Sequence, residues 1–280
     1  MTRAAAPAPA RLRVVRLRPR STLAIALVSA AGVVAFGWPL LASPESGLAH
    51  GSDAPRVFAL VLPLLLAVVL AEISEGGMDV KAVAMLGVLS AVGAALRPLG
   101  AGTAGLETVF FLLVLGGRVF GAGFGFVLGA TTLFASALLT GGVGPWLPFQ
   151  MFGAGWVGLF AGLLPPARGR LEIGLLAAYG AVAGLVYGFV LNMWFWPFGV
   201  PGSSSLAFVP GDAVLENLRR FWGFHLATSF GFDVPRAVGN VALVVALGPA
   251  TLAALRRTAR QAAFGAVPEY AANPTEAQTT

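Results

Sequence analysis

A long stretch without charge, residues 121–162, constrains the fold of this chain more than any other part of its sequence. It holds two apolar runs, 124–140 and 149–164, on either side of the break GGVGPWLP. Uncharged segments of this length are typical of lipid-embedded helices, because charged side chains are costly in hydrocarbon. Glycine and proline interrupt helices. The stretch therefore predicts two membrane helices joined by a turn, with Trp146 at the membrane boundary.

Glycines recur at four-residue spacing on these helices and on a later apolar run. Residues four apart lie on the same face of a helix, and small ones allow neighbouring backbones to approach closely. We therefore predict close helix packing at three sites. They are Gly125 with Gly129, Gly158 with Gly162, and the series Gly180, Gly184 and Gly188.

Composition extends this interpretation to the whole chain. Hydrophobic residues make up 57% and charged residues 11%, against about 25% charged residues in a soluble domain. The prediction is an all-α, polytopic membrane helical bundle. The absence of cysteine excludes disulfides and cysteine metal sites. The only lysine, Lys81, follows Val80, so the chain lacks a GxxxxGK[ST] phosphate loop.

The apolar runs predict eight membrane spans between two polar tails, residues 1–20 and 261–280. Two spans lie in an N-terminal region, 21–80, and six in a core, 81–260. A secretory signal is the alternative for the first span, which is longer than a usual signal core. The predicted spans are 21–41, 57–71, 82–96, 108–117, 124–140, 149–164, 173–196 and 237–255.

The distribution of basic residues predicts the orientation. With eight spans, both tails lie on one side, and thirteen of the 18 Lys and Arg residues fall there. Cytoplasmic segments carry an excess of Lys and Arg, so both termini are predicted to be cytoplasmic. This distribution also explains the net charge of +6 better than a nucleic-acid partner does, because the arginines form no single patch.

The longest connection between spans, residues 197–235, is predicted to lie at the outer face. Within it, residues 212–230 carry apolar side chains at helical spacing opposite Glu216 and Arg219, which predicts an amphipathic helix on the membrane surface. Asp233 is placed in the loop that follows.

Polar and aromatic residues concentrate toward the outer boundary. Polar groups at membrane depth are expensive and often functional, and we predict that these line a substrate pocket in which aromatic faces stack on a ring and amides orient it. The alternative for each residue is a headgroup-level anchor or a helix-packing amide. The candidate substrate-binding residues are Trp146, Gln150, Asn192, Trp196, Trp222, His225 and Asn240.

No catalytic or metal-binding pattern accompanies these residues. His50 and His225 have no partner at metal-ligand spacing, and neither HExxH nor GxSxG occurs. We therefore predict neither an enzyme nor a metal site.

On the cytoplasmic side of the core, Gly87, Ala91 and Ala95 form a stripe at strict four-residue spacing. Such a stripe allows a partner helix to pack closely, and we predict a partner interface there. Packing by other helices of the same chain is the alternative.

Two segments of the core resemble a known family. LGGRVFGAGFGFVLGATTLFASALLTGGVGPWLPFQMFGAGWVGLFAGLLP and AAYGAVAGLVYGFVLNMWFWPF are similar to substrate-binding S components of energy-coupling factor (ECF) transporters, of the kind encoded in actinobacteria. The resemblance covers residues 81–260 and leaves out the two N-terminal spans.

The resemblance implies a six-helix domain in the bacterial cytoplasmic membrane that takes up a vitamin or related micronutrient at its outer face. It also implies a transmembrane scaffold subunit, contacted by Gly87, Ala91 and Ala95, and two ATPase subunits that use ATP, so this chain needs no cofactor. The histidine signature of cobalt and nickel members is missing, which leaves nutrients such as cobalamin or a pyrimidine or flavin vitamin.

The alternative function is a self-sufficient secondary transporter or channel. Ion-coupled transporters carry acidic residues within the membrane, whereas Glu107 and Asp233 are predicted to lie in loops and Glu72 at a helix end. This placement favours the S component.

Overall fold

The computed structural model describes residues 19–43, 65, 78, 80–100 and 105–261. Within these residues every regular element is helical and no strand occurs, which confirms the predicted all-α bundle. A short 3₁₀ turn covers Arg97–Gly100. The α-helices are α1 (Pro19–Phe36), α2 (Trp38–Leu41), α3 (Val80–Leu96), α4 (Val109–Phe120), α5 (Ala122–Thr140), α6 (Leu147–Leu163), α7 (Gly169–Gly199), α8 (Val214–Thr228) and α9 (Phe230–Gln261).

Four stretches of this bundle are long and apolar enough to cross a bilayer: α3 with its 3₁₀ turn, α5, α7 and α9. The helices α1, α4 and α6 are apolar and shorter. The predicted span 57–71 lies outside the described residues, apart from the buried Leu65. Helix α4 has only 12 residues, but all of them except Arg118 are buried. It is therefore enclosed by other helices and need not match the thickness of the lipid.

Helices α5 and α6 form the predicted hairpin and pack through glycines. A Cβ atom on Gly125 would overlap the carbonyl of Gly158, and a Cβ on Gly158 would overlap that of Gly125. Gly129 lies equally close to the backbone of Ala154. Because lipid tails are as apolar as the side chains, such contacts stabilise helix pairs through van der Waals attraction rather than hydrophobic burial. The predicted close packing is confirmed, and Gly158→Leu would separate the two helices.

The glycine series on α7 faces α9, as the predicted packing requires. Gly180 and Gly184 lie under the side chain of Asn240, and a Cβ on Gly188 would overlap the carboxylate of Asp233. The space that these glycines leave is thus occupied by polar side chains of α9 rather than by its backbone.

The N-terminal helices are packed onto this bundle. Trp156 of α6 donates its indole hydrogen bond to Ser29 of α1 over 3.0 Å, and the rings of Phe36 and Phe149 meet edge to face at 5.0 Å. Trp38 of α2 donates to the backbone carbonyl of Trp194 on α7 over 3.3 Å.

An ion-pair cluster joins α4, α7 and α9 at the end of the bundle where α9 finishes. Glu172 accepts hydrogen bonds from Arg118 Nε at 2.8 Å and from Arg256 Nη2 at 2.7 Å. Arg118 Nη1 also donates to the carbonyls of Leu164 and Pro165, at 3.1 and 3.0 Å. We call Arg118, Glu172 and Arg256 the Glu172 cluster.

Candidate functional site

A second polar cluster lies at the opposite end of the bundle, where α7 finishes and α9 begins. It draws on α7, on α8, on the first three turns of α9 and on the segment before α4. We call it the Asp233 cluster, and its members are Glu107, Tyr187, Asn192, His225, Asp233, Arg236 and Asn240.

The centre of the cluster is a buried ion pair on α9. Arg236 Nη1 lies 2.5 Å from Asp233 Oδ1, and the two side chains are 10% and 4% exposed. The same nitrogen donates to the carbonyl of Gly184 over 3.3 Å, and Arg236 Nη2 lies 3.8 Å from Glu107 Oε1. The guanidinium also lies over the ring of Tyr187, 5.6 Å from its centroid. One cation thus serves two carboxylates.

A hydrogen bond joins α7 to His225 of α8, which lies beside this ion pair. Asn192 Nδ2 lies 3.1 Å from His225 Nδ1 and also donates to the Ser229 hydroxyl. Because Nδ1 then accepts, the proton of a neutral imidazole is on Nε2, which lies 3.6 Å from Asp233 Oδ2. Burial lowers the pKa of His225 below its ordinary value, and the nearby Asp233 carboxylate only partly opposes this. The imidazole is therefore neutral at physiological pH.

Several buried polar atoms of the cluster have no hydrogen-bond partner. An unpaired buried polar group costs roughly 1–3 kcal/mol, so native proteins keep few of them. Only two other atoms in the described part of the chain share this state, the hydroxyls of Thr132 and Ser136 on α5. The unpartnered atoms of the cluster are Glu107 Oε2, the Tyr187 hydroxyl, Asp233 Oδ2, Arg236 Nε and Asn240 Oδ1.

Aromatic rings border the histidine end of the cluster. Phe189 lies 5.4 Å from His225 and 5.2 Å from Trp222, measured between ring centroids, and Phe221 stacks on His225 at 5.8 Å. Trp222 is 49% exposed, so part of its ring is open to a flat ligand.

Asn240 lies deeper along α9 and donates to the carbonyl of Gly180, about 18 Å along α7 from Asn192 at about 1.5 Å per residue. The structure brings two other predicted site residues, Asn192 and His225, into hydrogen-bond contact, with Trp222 at the edge. It does not bring the others into the cluster. Gln150 accepts a hydrogen bond from Arg97 over 3.2 Å. The remaining two are Trp196, which is fully buried and donates to the Leu206 carbonyl, and Trp146, which is 44% exposed and donates to the Gly142 carbonyl of its own turn.

The prediction that Asp233 lies in a loop is wrong. Helix α9 begins at Phe230, so Asp233 stands in its first turn, with Pro235 two residues further along the same helix. The prediction took Pro235 as the boundary of the loop. A signal for the missed residues was available, because Asp233, Arg236 and Asn240 follow the spacing i, i+3, i+7 of one helix face. Glu107 and Tyr187 had no such signal.

The small-residue stripe of α3 faces outward. Gly87, Ala91 and Ala95 are exposed in the described part of the chain, and a Cβ on Gly87 would meet no atom within 4 Å. The opposite face of α3 is buried, and there Gly93 contacts Thr132 of α5. Among the described helices, therefore, none packs on the stripe.

A family model described as ECF transporter, substrate-specific component, matches residues 81–248. The chain belongs to this family. It is therefore a multi-pass membrane protein and a substrate-binding subunit of an ECF transporter, a class of transporter subunits rather than enzymes. Neither the curated proteins nor the solved structures compared with the chain contain a match. The matched range starts with α3 and includes every residue of the Asp233 cluster, whereas α1 and α2 precede it.

Within the described residues, no three metal-ligating side chains come together.

Proposed function

We propose that this S component captures a vitamin or related micronutrient at the Asp233 cluster and delivers it with partner subunits that use ATP. The observation that carries the proposal is the set of unpartnered buried polar atoms on Glu107, Tyr187, Asp233 and Arg236 near one end of the bundle, with Asn240 Oδ1 deeper along α9. A ligand that hydrogen-bonds to them would remove a cost that the empty protein bears. Cobalamin and pyrimidine or flavin vitamins are the candidate nutrients.

Charge supports an orientation in which this cluster faces outward. Arg168, Arg170, Arg257 and Arg260 lie at the same end of the bundle as the Glu172 cluster. Basic residues favour the cytoplasmic side. Both termini are then cytoplasmic and the Asp233 cluster lies at the outer face.

Access to the cluster requires a movement. The side chains of Asp233 and Arg236 are nearly buried, whereas that of Glu107 is 23% exposed and forms the open edge. We propose that a ligand enters beside Glu107 as α8 moves away from α9, since α8 contributes His225 and Trp222 and is joined to α9 through Ser229.

The exposed stripe of α3 supports the partner assignment. Gly87, Ala91 and Ala95 offer a surface on which a helix of the transmembrane scaffold could pack at short distance. Two ATPases attached to the scaffold would supply the energy, in keeping with the missing phosphate loop in this chain.

Co-purification tests the proposal. The full chain is extracted in detergent from its own membranes, and we expect the scaffold and both ATPases to accompany it. Native mass spectrometry should detect a retained small molecule. Purification without these subunits, together with no retained molecule and no vitamin binding, would contradict the proposal.

Replacing Ala91 and Ala95 with Leu separates capture from delivery. Bulk on the stripe should block helix approach, so we expect uptake into cells to fall by about tenfold or more while ligand binding by the purified chain is retained. The matched control replaces Ala246 and Ala250, which are also exposed and four residues apart, on α9. Equal loss of binding and uptake would show that the stripe is internal packing.

A secondary transporter is the second candidate, and one observation favours it. Asp233 is a buried acid on a long apolar helix, beside His225 and Glu107, rather than a loop residue. The described acids, however, lie at the two ends of the bundle or on α8, and none stands midway along α7 or α9. Uptake by vesicles that contain this chain alone, without ATP, would establish the second candidate.

A further inference from the structure

The unpartnered atoms of the Asp233 cluster differ in what they offer a ligand. Three of them only accept hydrogen bonds: Glu107 Oε2, Asp233 Oδ2 and Asn240 Oδ1. The assignment of Asn240 follows from its amide nitrogen, which donates to the Gly180 carbonyl over 2.9 Å. The Tyr187 hydroxyl both donates and accepts, and Arg236 Nε is the one pure donor.

Arg236 already faces two carboxylates, so an anionic ligand would have to compete with them for the guanidinium. Its Nη1 is taken by Asp233 and by the Gly184 carbonyl, and its Nη2 faces Glu107. A carboxylate or phosphate at the cluster could reach Nε and Nη2, whose contact with Glu107 is 3.8 Å long, but it would lie next to two carboxylates. Like charges in a poorly hydrated site repel each other strongly. The arrangement disfavours ligands that are recognised through an anionic group.

Donor groups fit the same atoms. A ring with amino groups could donate to Glu107 and Asp233, because both carboxylates lie beside the guanidinium of Arg236. Asn240 is about 10 Å further along α9 and could accept from a more distant group of the same ligand. The exposed side of Trp222, next to Phe189 and His225, provides a surface on which such a ring could stack.

We propose that the Asp233 cluster selects a heterocyclic nutrient whose polar edge carries N–H donors, and that it discriminates against compounds whose polar group is a carboxylate. This rests on the proposed function, because it names the chemical class that the proposed capture site takes. Glu107 and Asp233 are the residues that accept hydrogen bonds from the donor edge.

Two probes with one ring test the selection. Binding of 2,4-diaminopyrimidine and of pyrimidine-4-carboxylate to the purified full chain is measured by titration calorimetry in detergent. We expect the diamino compound to bind at least about tenfold more tightly, the ratio given by roughly one buried hydrogen bond to a charged group. Tighter binding of the carboxylate, equal binding, or binding of neither probe would overturn the proposal.

Substitutions assign the selectivity to the cluster. Glu107→Gln replaces one acceptor oxygen at the partly exposed edge, and Asp233→Asn does so at the buried centre. We expect each change to weaken binding of the diamino probe by about tenfold. Glu216→Gln is the matched control, since Glu216 is exposed on α8 and pairs only with Arg219. If Asp233→Asn unfolds the chain, Glu107→Gln still decides, and unchanged binding in that variant would overturn the proposal.

The probe-binding test can fail even when the co-purification test of the proposed function succeeds. Co-purification with the scaffold and the ATPases uses no probe, so an S component that prefers carboxylates would pass that experiment and fail this one.

Discussion

The two polar clusters at opposite ends of α7 and α9 contain the same kinds of side chain and differ in how completely these are paired. In the Glu172 cluster, one carboxylate receives two arginines, and Arg118 also donates to two carbonyls. None of the buried side-chain atoms of Arg118, Glu172 or Arg256 lacks a partner. In the Asp233 cluster, one arginine serves two carboxylates and five buried atoms are left unpartnered.

This difference separates a structural role from the proposed binding role. Glu172 and Asn192 lie about 30 Å apart along α7, at about 1.5 Å per residue, which is close to the thickness of the hydrocarbon layer. The saturated cluster holds three helices together at one face, and the unsaturated cluster leaves hydrogen-bonding capacity at the other. A protein that binds a solute on one side and moves as a unit would need both.

The largest expected effect is on stability, at the saturated cluster. Glu172→Gln leaves Arg118, which is 8% exposed, without its carboxylate. Breaking such a buried pair from one side costs about 3 kcal/mol. Thermal unfolding in detergent should show this loss. The folded fraction of the variant should bind ligand as tightly as the original chain does. Glu216→Gln, at an exposed pair, should change stability by less than about 0.5 kcal/mol. Equal losses in the two variants would remove the distinction between the clusters.

A pair of tyrosines gives opposite expected signs. Tyr179 donates to the Val157 carbonyl over 2.6 Å, so Tyr179→Phe should cost about 1 kcal/mol and leave binding unchanged. The hydroxyl of Tyr187 has no partner, so Tyr187→Phe should leave stability unchanged or raise it by up to about 1 kcal/mol. The same change should weaken ligand binding by about threefold or more. Chemical unfolding and titration of both variants measure this, and a loss of stability in Tyr187→Phe would show that the hydroxyl is paired.

The smallest expected effect is on the pH dependence of stability. Because burial lowers the pKa of His225 in the folded chain, the unfolded chain takes up this proton first as pH falls. The contribution of neutral His225 to stability is therefore complete above about pH 6.5 and is lost as pH falls through the lowered folded pKa. His225→Gln should show a smaller drop in melting temperature between pH 7.5 and pH 5 than the original chain. An identical drop would place the acid sensitivity elsewhere.

Much of the fold could be predicted from the sequence because the relevant rules are local. The hairpin of α5 and α6 follows from an uncharged stretch with a glycine- and proline-rich centre, and its packing follows from glycines four residues apart. The family resemblance is confirmed over residues 81–248. The span 57–71 lies outside the described residues, so the count of eight spans stays a prediction.

The site was less predictable because it depends on which helices meet. Asn192, His225 and Asn240 are predicted from their expected positions near the outer membrane boundary. Arg236 and Glu107 are distant in the sequence and meet only in the tertiary structure. The sequence predicts that the loop before the last span ends at Pro235. In the structure α9 begins earlier, at Phe230, and packs over the glycines of α7. Trp196 has an aromatic ring of the kind that stacks on ligands, but in the structure this ring is buried and packs against Phe221.

The position of α1 restricts the directions from which another subunit could reach this chain. Through Ser29 and Phe36, α1 covers the side of α6 that carries Phe149 and Trp156, although it precedes the family match. That flank is occupied within the chain itself, while none of the described helices packs on the stripe of α3. A partner would then dock on the α3 side of the bundle. A chain shortened to the matched residues would expose the apolar side of α6 as well and would associate less selectively.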